Sequence, residues 1–332
     1  MGPAERADPD FENVRDRWSL SDVRDRWSLG DVRDRWSLRD VRDRRSLRNV
    51  RAQLAFGAAS PFRYASAVQI TYGSYLKIPE LLALQQPASR DATTGVAEHD
   101  EMLFIVIHQV YELWFRQQLH EGDRLAACLM SNEIEPACAT LKRMLTILKT
   151  MVQQVDVLET MTPVSFLSFR SFLTSSSGFQ SAQFREFEFL LGNKNPRVLG
   201  HNPEGSVEHR AIAARWPKPT LYDAFARFLA LRGHAVPTAL LERDVTQAPQ
   251  EWPEMQETLL AVYRNHPAER QVCELLVDLD EGVQEWRYRH VKMVERTIGF
   301  KQGTGGSPGA AYLRTTLFHP LFPDLWAIRT RL

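Results

Sequence analysis

The stretch DEMLFIVIHQVYELWFRQQLHEGDRLAACLM, residues 100–130, decides the fold. It holds no proline, and its single glycine, Gly122, lies in the second half. Leu103, Phe104, Ile107, Val110, Tyr111, Trp114 and Phe115 recur at intervals of three and four, the spacing that gathers side chains onto shared faces of an α-helix. The apolar positions cover more than one face, so this long helix is expected to be well buried. Residues 135–159 repeat the pattern through Leu141, Leu145, Leu148, Val152 and Val155.

Further along, Thr162-Pro163 places a capping hydroxyl before a proline at the first helical position, which predicts a helix through Phe166, Phe169 and Phe172. Ser175-Ser176-Ser177-Gly178 then reads as a loop, and a short helix ends near Gly192. Residues 193–219 hold four prolines and are expected to be irregular. Thr220 caps a helix ending near Gly233, and residues 267–300 form a second long helix. Upstream, residues 72–86 read as a short helical segment leading in. No alternation of period two persists anywhere, so the expected class is all-α.

The N-terminal part has a different texture. VRDRWSLSD begins at Val14, and near-copies follow at Val23, Val32 and Val41, with a stub at Val50. Nine residues make about 2.5 helical turns, and an odd period also alternates faces in a strand, so neither structure gathers the repeated Val, Trp and Leu onto one stripe. Residues 1–58 are therefore read as a low-complexity extension, mobile or locally helical, and 59–332 as the helical domain. A solenoid is the alternative, but its helical units are far longer than nine residues.

The chain has 332 residues, 44% hydrophobic and 25% charged, enough for a sizeable core. Its 41 basic and 41 acidic side chains cancel, so no basic face for nucleic acid is expected. Cys128, Cys138 and Cys273 are too few and too scattered for a disulfide framework, which suggests a reducing, cytoplasmic setting. The opening MGPAERADPDF has no apolar h-region, and no apolar run approaches the roughly 20 residues of a spanning helix, so neither a secretory signal nor a membrane is expected.

Of nine histidines, most lie in polar segments; His201 and His209 fall in the irregular stretch, and His234 and His266 follow helices. Two stand apart. His108 sits inside the most apolar helix, sharing a face with Phe104 and Tyr111. His290 sits midway along the last long helix, with Val283, Trp286 and Met293 on its face. A neutral imidazole on an apolar face suits a haem iron; a single one is more often a core histidine satisfied by a carbonyl or carboxylate, and two on two long helices favour a paired site. Arg170, among Phe166, Phe169 and Phe172, wants a carboxylate, from a ligand or from a nearby Glu. The GTGGS run at 303–307 lacks the spacing and lysine of a phosphate loop and reads as a turn or a lid. Spacing alone reaches a helical protein with a possible haem or metal pocket and names no substrate.

TYGSYL (71–76), HDEMLFIVIHQVYELWFRQQLHE (99–121), LETMTP (158–163), FRSFL with SSGFQS (169–181) and WRYRHVKMVERTIGFKQGTGGS (286–307) together closely resemble the tryptophan 2,3-dioxygenase family. The resemblance runs in order from about Tyr64 to the C-terminus and excludes the nonamer repeats. It implies a helical bundle enclosing a haem pocket, of the tryptophan/indoleamine dioxygenase type. The implied reaction inserts both atoms of O2 across the indole C2–C3 bond of L-tryptophan to give N-formyl-L-kynurenine, the first step of the kynurenine route. It also implies haem b, one per subunit, in a homotetramer built as a dimer of dimers.

Residue by residue, the resemblance makes His290 the proximal iron ligand and His108 the distal histidine beside the indole N–H. Phe104 would pack on the indole, Arg170 would pair with the substrate carboxylate, and Thr304 would hold the amino-acid head group. Ser177 would lie near the haem edge, and Tyr72, Tyr75 and Leu76 would complete the pocket of a neighbouring subunit. Phe166 stands where some members carry tyrosine. Three rivals remain in view: a haem sensor without turnover, a metal phosphohydrolase using His99-Asp100, and the related indoleamine dioxygenase activity with looser substrate choice.

Overall fold

The structure is a computed structural model and describes residues 70–91, 93–303 and 309–332. The nonamer repeats and Thr304 lie outside the described residues. Thirteen α-helices and several short 3-10 turns form among the described residues, with no strand. In chain order the helices are α1 (Tyr72–Leu76), α2 (Ile78–Leu82), α3 (His99–Met130), α4 (Ile134–Leu158), α5 (Pro163–Arg170), α6 (Ala182–Leu191) and α7 (Val207–Arg215). They continue as α8 (Leu221–Leu231), α9 (Thr238–Leu241), α10 (Pro253–Asn265), α11 (Pro267–Ile298), α12 (Ala310–Arg314) and α13 (Pro323–Ala327).

Three long helices make the frame. α3 and α4 form an antiparallel hairpin, because only Ser131, Asn132 and Glu133 join them, with Asn132 in the left-handed region at φ 59°. α11 packs along α4, and α8 and α6 pack on α3. The shared core is Leu125 and Leu129 of α3, Met144, Leu148 and Met151 of α4, Tyr222, Phe225 and Phe228 of α8, and Val272, Leu276 and Leu279 of α11. Gly122 explains how closely α6 approaches α3: a Cβ there would meet Leu190 Cδ2 at 2.3 Å.

Two buried carboxylates in this core accept hydrogen bonds that tie down the C-terminal segment. Asp280 on α11 is fully buried, and its Oδ2 accepts from the Leu321 and Phe322 backbone and from Trp326 Nε1. Asp324 accepts from Tyr222 Oη at 2.5 Å and from the Trp252 backbone at 2.7 Å. These two carboxylates fasten the C-terminal segment to α11, α8 and α10.

The boundaries follow local chemistry. Thr162 caps α5 by accepting from Ser165 N, with Pro163 at the first position. The helix then tightens to a 3-10 turn at Ser171–Leu173, so Phe172 leaves the α-helical face on which the spacing put it. α8 starts with a reciprocal Thr220–Asp223 capping box. α6 stops at Gly192 (φ 107°), and α11 stops at Gly299 (φ 61°).

Two expectations need correcting. Residues 193–219 are not irregular throughout: Ser206 caps α7, which occupies the proline-free interval between Pro203 and Pro217. Its Ile212 packs in a small core with Phe189 and Val198, so tertiary burial stabilises a helix whose surroundings read as loop. Residues 72–86 form two helices rather than one, broken where Lys77 adopts φ 55° ahead of Pro79.

Candidate functional site

The cavity that matters opens where the middle of α3, the C-terminal half of α11, α5 and α6 converge. Its volume is about 280 Å3, and its wall is mostly apolar. One side is Phe104, His108, Tyr111 and Phe115 of α3; the opposite side is Trp286, His290, Met293 and Val294 of α11. Phe166 and Arg170 come from α5, Ser177 and Phe179 from the following turn, and Phe184, Arg185 and Glu188 from α6.

His290 is on α11 two turns before its end, where the heptad-like pattern that buries Val283 and Trp286 continues into the cavity. Its ring stacks on Trp286 with centroids 5.6 Å apart and planes 11° from parallel. Burial pushes its pKa down to about 4, with smaller contributions from His108, Arg287 and Arg185. No hydrogen bond offsets that burial among the described residues. The exposure the ring retains is therefore to the cavity. A core histidine is ordinarily satisfied by a carbonyl or carboxylate; this one is neutral and offers its lone pair to whatever fills the space.

His108 faces the same cavity from α3. Its Nδ1 lies 2.7 Å from the Phe104 carbonyl oxygen. A carbonyl only accepts, so Nδ1 carries the proton and Nε2 of the neutral ring carries the lone pair. Burial lowers the pKa, outweighing the opposing influence of that hydrogen bond and of Glu112, and keeps the ring neutral. Phe104 lies against the same ring at 4.0 Å between centroids and packs on Phe166 and Phe169 at 5.8 and 5.6 Å.

Arg170 ends α5 at the cavity wall. Its Nη2 donates to the Gln302 carbonyl at 2.5 Å, drawing in the chain just before the GTGGS run. Among the described residues it has no carboxylate partner. Ser177 lines the cavity while its hydroxyl caps the turn Gly178–Gln180 by accepting from Phe179 N. Gly303 and Gly309, on either side of residues 304–308, also line the cavity.

Tyr72, Tyr75 and Leu76 are not brought to the cavity of their own chain. They lie on α1, exposed at 78%, 73% and 42%, within an apolar segment that also exposes Ile70, Leu82 and Leu84. Nor do metal ligands cluster at His99 and Asp100 among the described residues.

Sequence spacing missed a buried charge cluster on the cavity wall. Glu188 accepts from Arg185 Nη1 at 2.5 Å and from Arg287 Nη2 at 2.8 Å. Those two guanidiniums hold the Glu188 carboxyl low against the opposing effect of burial. The signal was present as FREFEF, a charged pair three apart among phenylalanines, and as the arginine next to Trp286. With Arg170, three guanidiniums line the cavity against the two carboxylates Glu112 and Glu188. The wall therefore has one positive charge in excess, which suits an acidic occupant.

The sequence model of the family described as "Tryptophan 2,3-dioxygenase" matches residues 57–210 and 223–332. A protein of Herpetosiphon aurantiacus named tryptophan 2,3-dioxygenase is 57% identical over 263 residues, covering 79% of this chain and 98% of its own length. Proteins of the same name from an Anaeromyxobacter species and from Kineococcus radiotolerans are 56% and 44% identical, each over 80% of this chain and over 97% and 92% of their own lengths.

Proposed function

We propose the following from the fact that this chain belongs to the tryptophan 2,3-dioxygenase family: it inserts both atoms of O2 across the indole C2–C3 bond of L-tryptophan, giving N-formyl-L-kynurenine. The observation that carries this reading is that one apolar cavity holds two neutral imidazoles from different helices and an arginine that has no carboxylate partner among the described residues.

The residues present fit a haem. Among the described residues the His290 imidazole has no hydrogen bond of its own, so it would be free to hold the iron. Haem b, one per chain, would be held by His290 and would supply the redox-active iron that O2 chemistry requires.

The chain's own residues do the rest by binding and orientation. His108 Nε2 is an acceptor and suits an indole N–H; this asks only for a hydrogen bond and no proton transfer. Phe104, braced by Phe166 and Phe169, provides an aromatic face for the indole. Arg170 matches the substrate carboxylate with its planar fork. Thr304, two residues beyond the Gln302 that Arg170 holds, is assigned the ammonium group. Phe166 brings no hydroxyl into the cavity beside Phe104.

Tyr72, Tyr75 and Leu76 are assigned to the cavity of a neighbouring copy, in a homotetramer built as a dimer of dimers. Their exposure on an apolar, unpartnered segment supports this. No described helix is long and apolar enough to cross a membrane. The three free, buried cysteines support a cytoplasmic setting. Because the family match begins at residue 57, the nonamer repeats are read as an addition preceding the enzyme domain.

The test is an absorption spectrum of the purified protein with and without L-tryptophan, followed by turnover of the reduced, haem-loaded protein. The expected result is a Soret band that shifts with L-tryptophan, and a formylkynurenine product absorbing in the near ultraviolet. Intact haem without product would refute the reading in favour of a sensor. Equal turnover of L-tryptophan, D-tryptophan and tryptamine would refute the stated specificity.

A further inference from the structure

At the junction of α8 and α11, away from the cavity, His234, His266 and Glu269 bring one donor atom each within 4.8 Å of one another. None of the three lines the cavity. The local chain explains the cluster. α8 ends through Gly233 in the left-handed region (φ 85°), and the His234 backbone N–H donates back to Leu229 O, which turns the His234 ring toward the start of α11. His266 is the N-cap of α11, and Glu269 lies in its first turn, three residues on. The His234 and His266 rings meet at 4.6 Å and 85°, edge to face.

One atom in this cluster has no structural explanation. The His234 side chain is 9% exposed, and its Nε2 is buried with no hydrogen-bond partner among the described residues. The nearest candidate, Glu269 Oε1, is 3.7 Å away and is already engaged by Arg232 Nε at 2.7 Å. A buried ring nitrogen left unpaired is costly. Here it points at a carboxylate and a second imidazole. Two imidazoles and one carboxylate, with a position left open, are a recurring donor set for a borderline divalent cation.

We propose that His234, His266 and Glu269 bind a zinc ion that ties the end of α8 to the start of α11, with water completing the coordination. Around zinc, bonds of about 2.0–2.1 Å place tetrahedral donors roughly 3.3 Å apart. The present separations therefore need to close by about 1.5 Å at most, within reach of side-chain rotation. Arg232 is the competitor. It is 33% exposed against 6% for Glu269, so it can turn out to solvent when zinc takes the carboxylate.

The test uses the untagged, haem-loaded full chain, dialysed against micromolar zinc sulfate and analysed for zinc and iron per chain. The expected result is one zinc per chain, with affinity falling at least tenfold in His234→Gln and in His266→Gln, and an upward Tm shift with zinc only where the site is intact. Should His234→Gln fail to fold, His266→Gln decides, its haem spectrum and helical circular dichroism serving as the fold control. Arg232→Gln is expected to tighten zinc binding, because it removes the competitor. Zinc uptake by the wild type no greater than by the two histidine variants overturns the proposal. Weaker zinc binding in Arg232→Gln also overturns it, by assigning the cluster to an ion pair.

Discussion

Replacing Arg170 with alanine separates a substrate clamp from a structural tie. In the structure its Nη2 donates to the Gln302 carbonyl at 2.5 Å, and the remaining donors meet no carboxylate among the described residues. The substitution removes two things. The first is the bond that holds the Gln302 backbone, about 1 kcal/mol, which affects every substrate alike and corresponds to roughly fivefold. The second is the pairing with a substrate carboxylate. Two charge-assisted bonds in an apolar cavity bring about 3–4 kcal/mol net, or roughly 200- to 900-fold. Tryptamine has no carboxylate and is exposed only to the first loss. For L-tryptophan the two losses add to about 4–5 kcal/mol, so kcat/KM of Arg170→Ala is expected to fall by roughly three to four decades, and for tryptamine by less than one. The assay is initial-rate kinetics with both compounds, supported by spectral titration of the haem. Equal losses for the two would refute the clamp and leave Arg170 as a loop anchor.

His290→Ala is expected to fold but not to retain haem through gel filtration; haem at wild-type stoichiometry would reject the ligand assignment. For His108, burial lowers the pKa below the ordinary imidazole value of 6.5. The acceptor nitrogen is therefore available at neutral pH and is lost only as pH falls through the lowered value, so KM for L-tryptophan should be flat from pH 8 to about 6.5 and rise below. An acid limb centred above 6.5, or one that persists in His108→Gln, contradicts this. Gly122→Ala puts a methyl group 2.3 Å from Leu190 Cδ2. Overpacking of this kind costs about 1–3 kcal/mol, so Tm should drop by about 2–10 °C with haem content unchanged; an unaltered melting curve would show that Leu190 has room to move.

The site was legible wherever chemistry follows helical spacing. Phe104 and His108 are four apart on an apolar helix, and that spacing alone puts their rings in contact at 4.0 Å. Trp286 and His290 stack for the same reason. The Arg185–Glu188–Arg287 cluster was not read, because its third member comes from a helix about a hundred residues away and only packing of α6 against α11 unites them. α7 was hidden by the prolines on either side, since local composition does not report the burial of Ile212.

The zinc proposal rests on residues that the sequence presented only as two histidines following helices. Nothing local distinguishes His234 from His209. Its significance comes from the turn at Gly233, which delivers the ring to the first turn of α11 and strands Nε2 there.

Periodicity, capping residues and the absence of alternation were enough to establish a helical chain, its long helices and which faces are apolar, because these depend on interactions within a few residues. Tertiary structure alone decided that, among the described residues, His108 Nε2 and the His290 ring meet no partner, that Arg170 draws in the chain at Gln302, and that Tyr72 and Tyr75 do not line the cavity. Those properties depend on which atoms remain unpaired after distant segments pack, and pairing at a distance leaves no periodic trace in a chain.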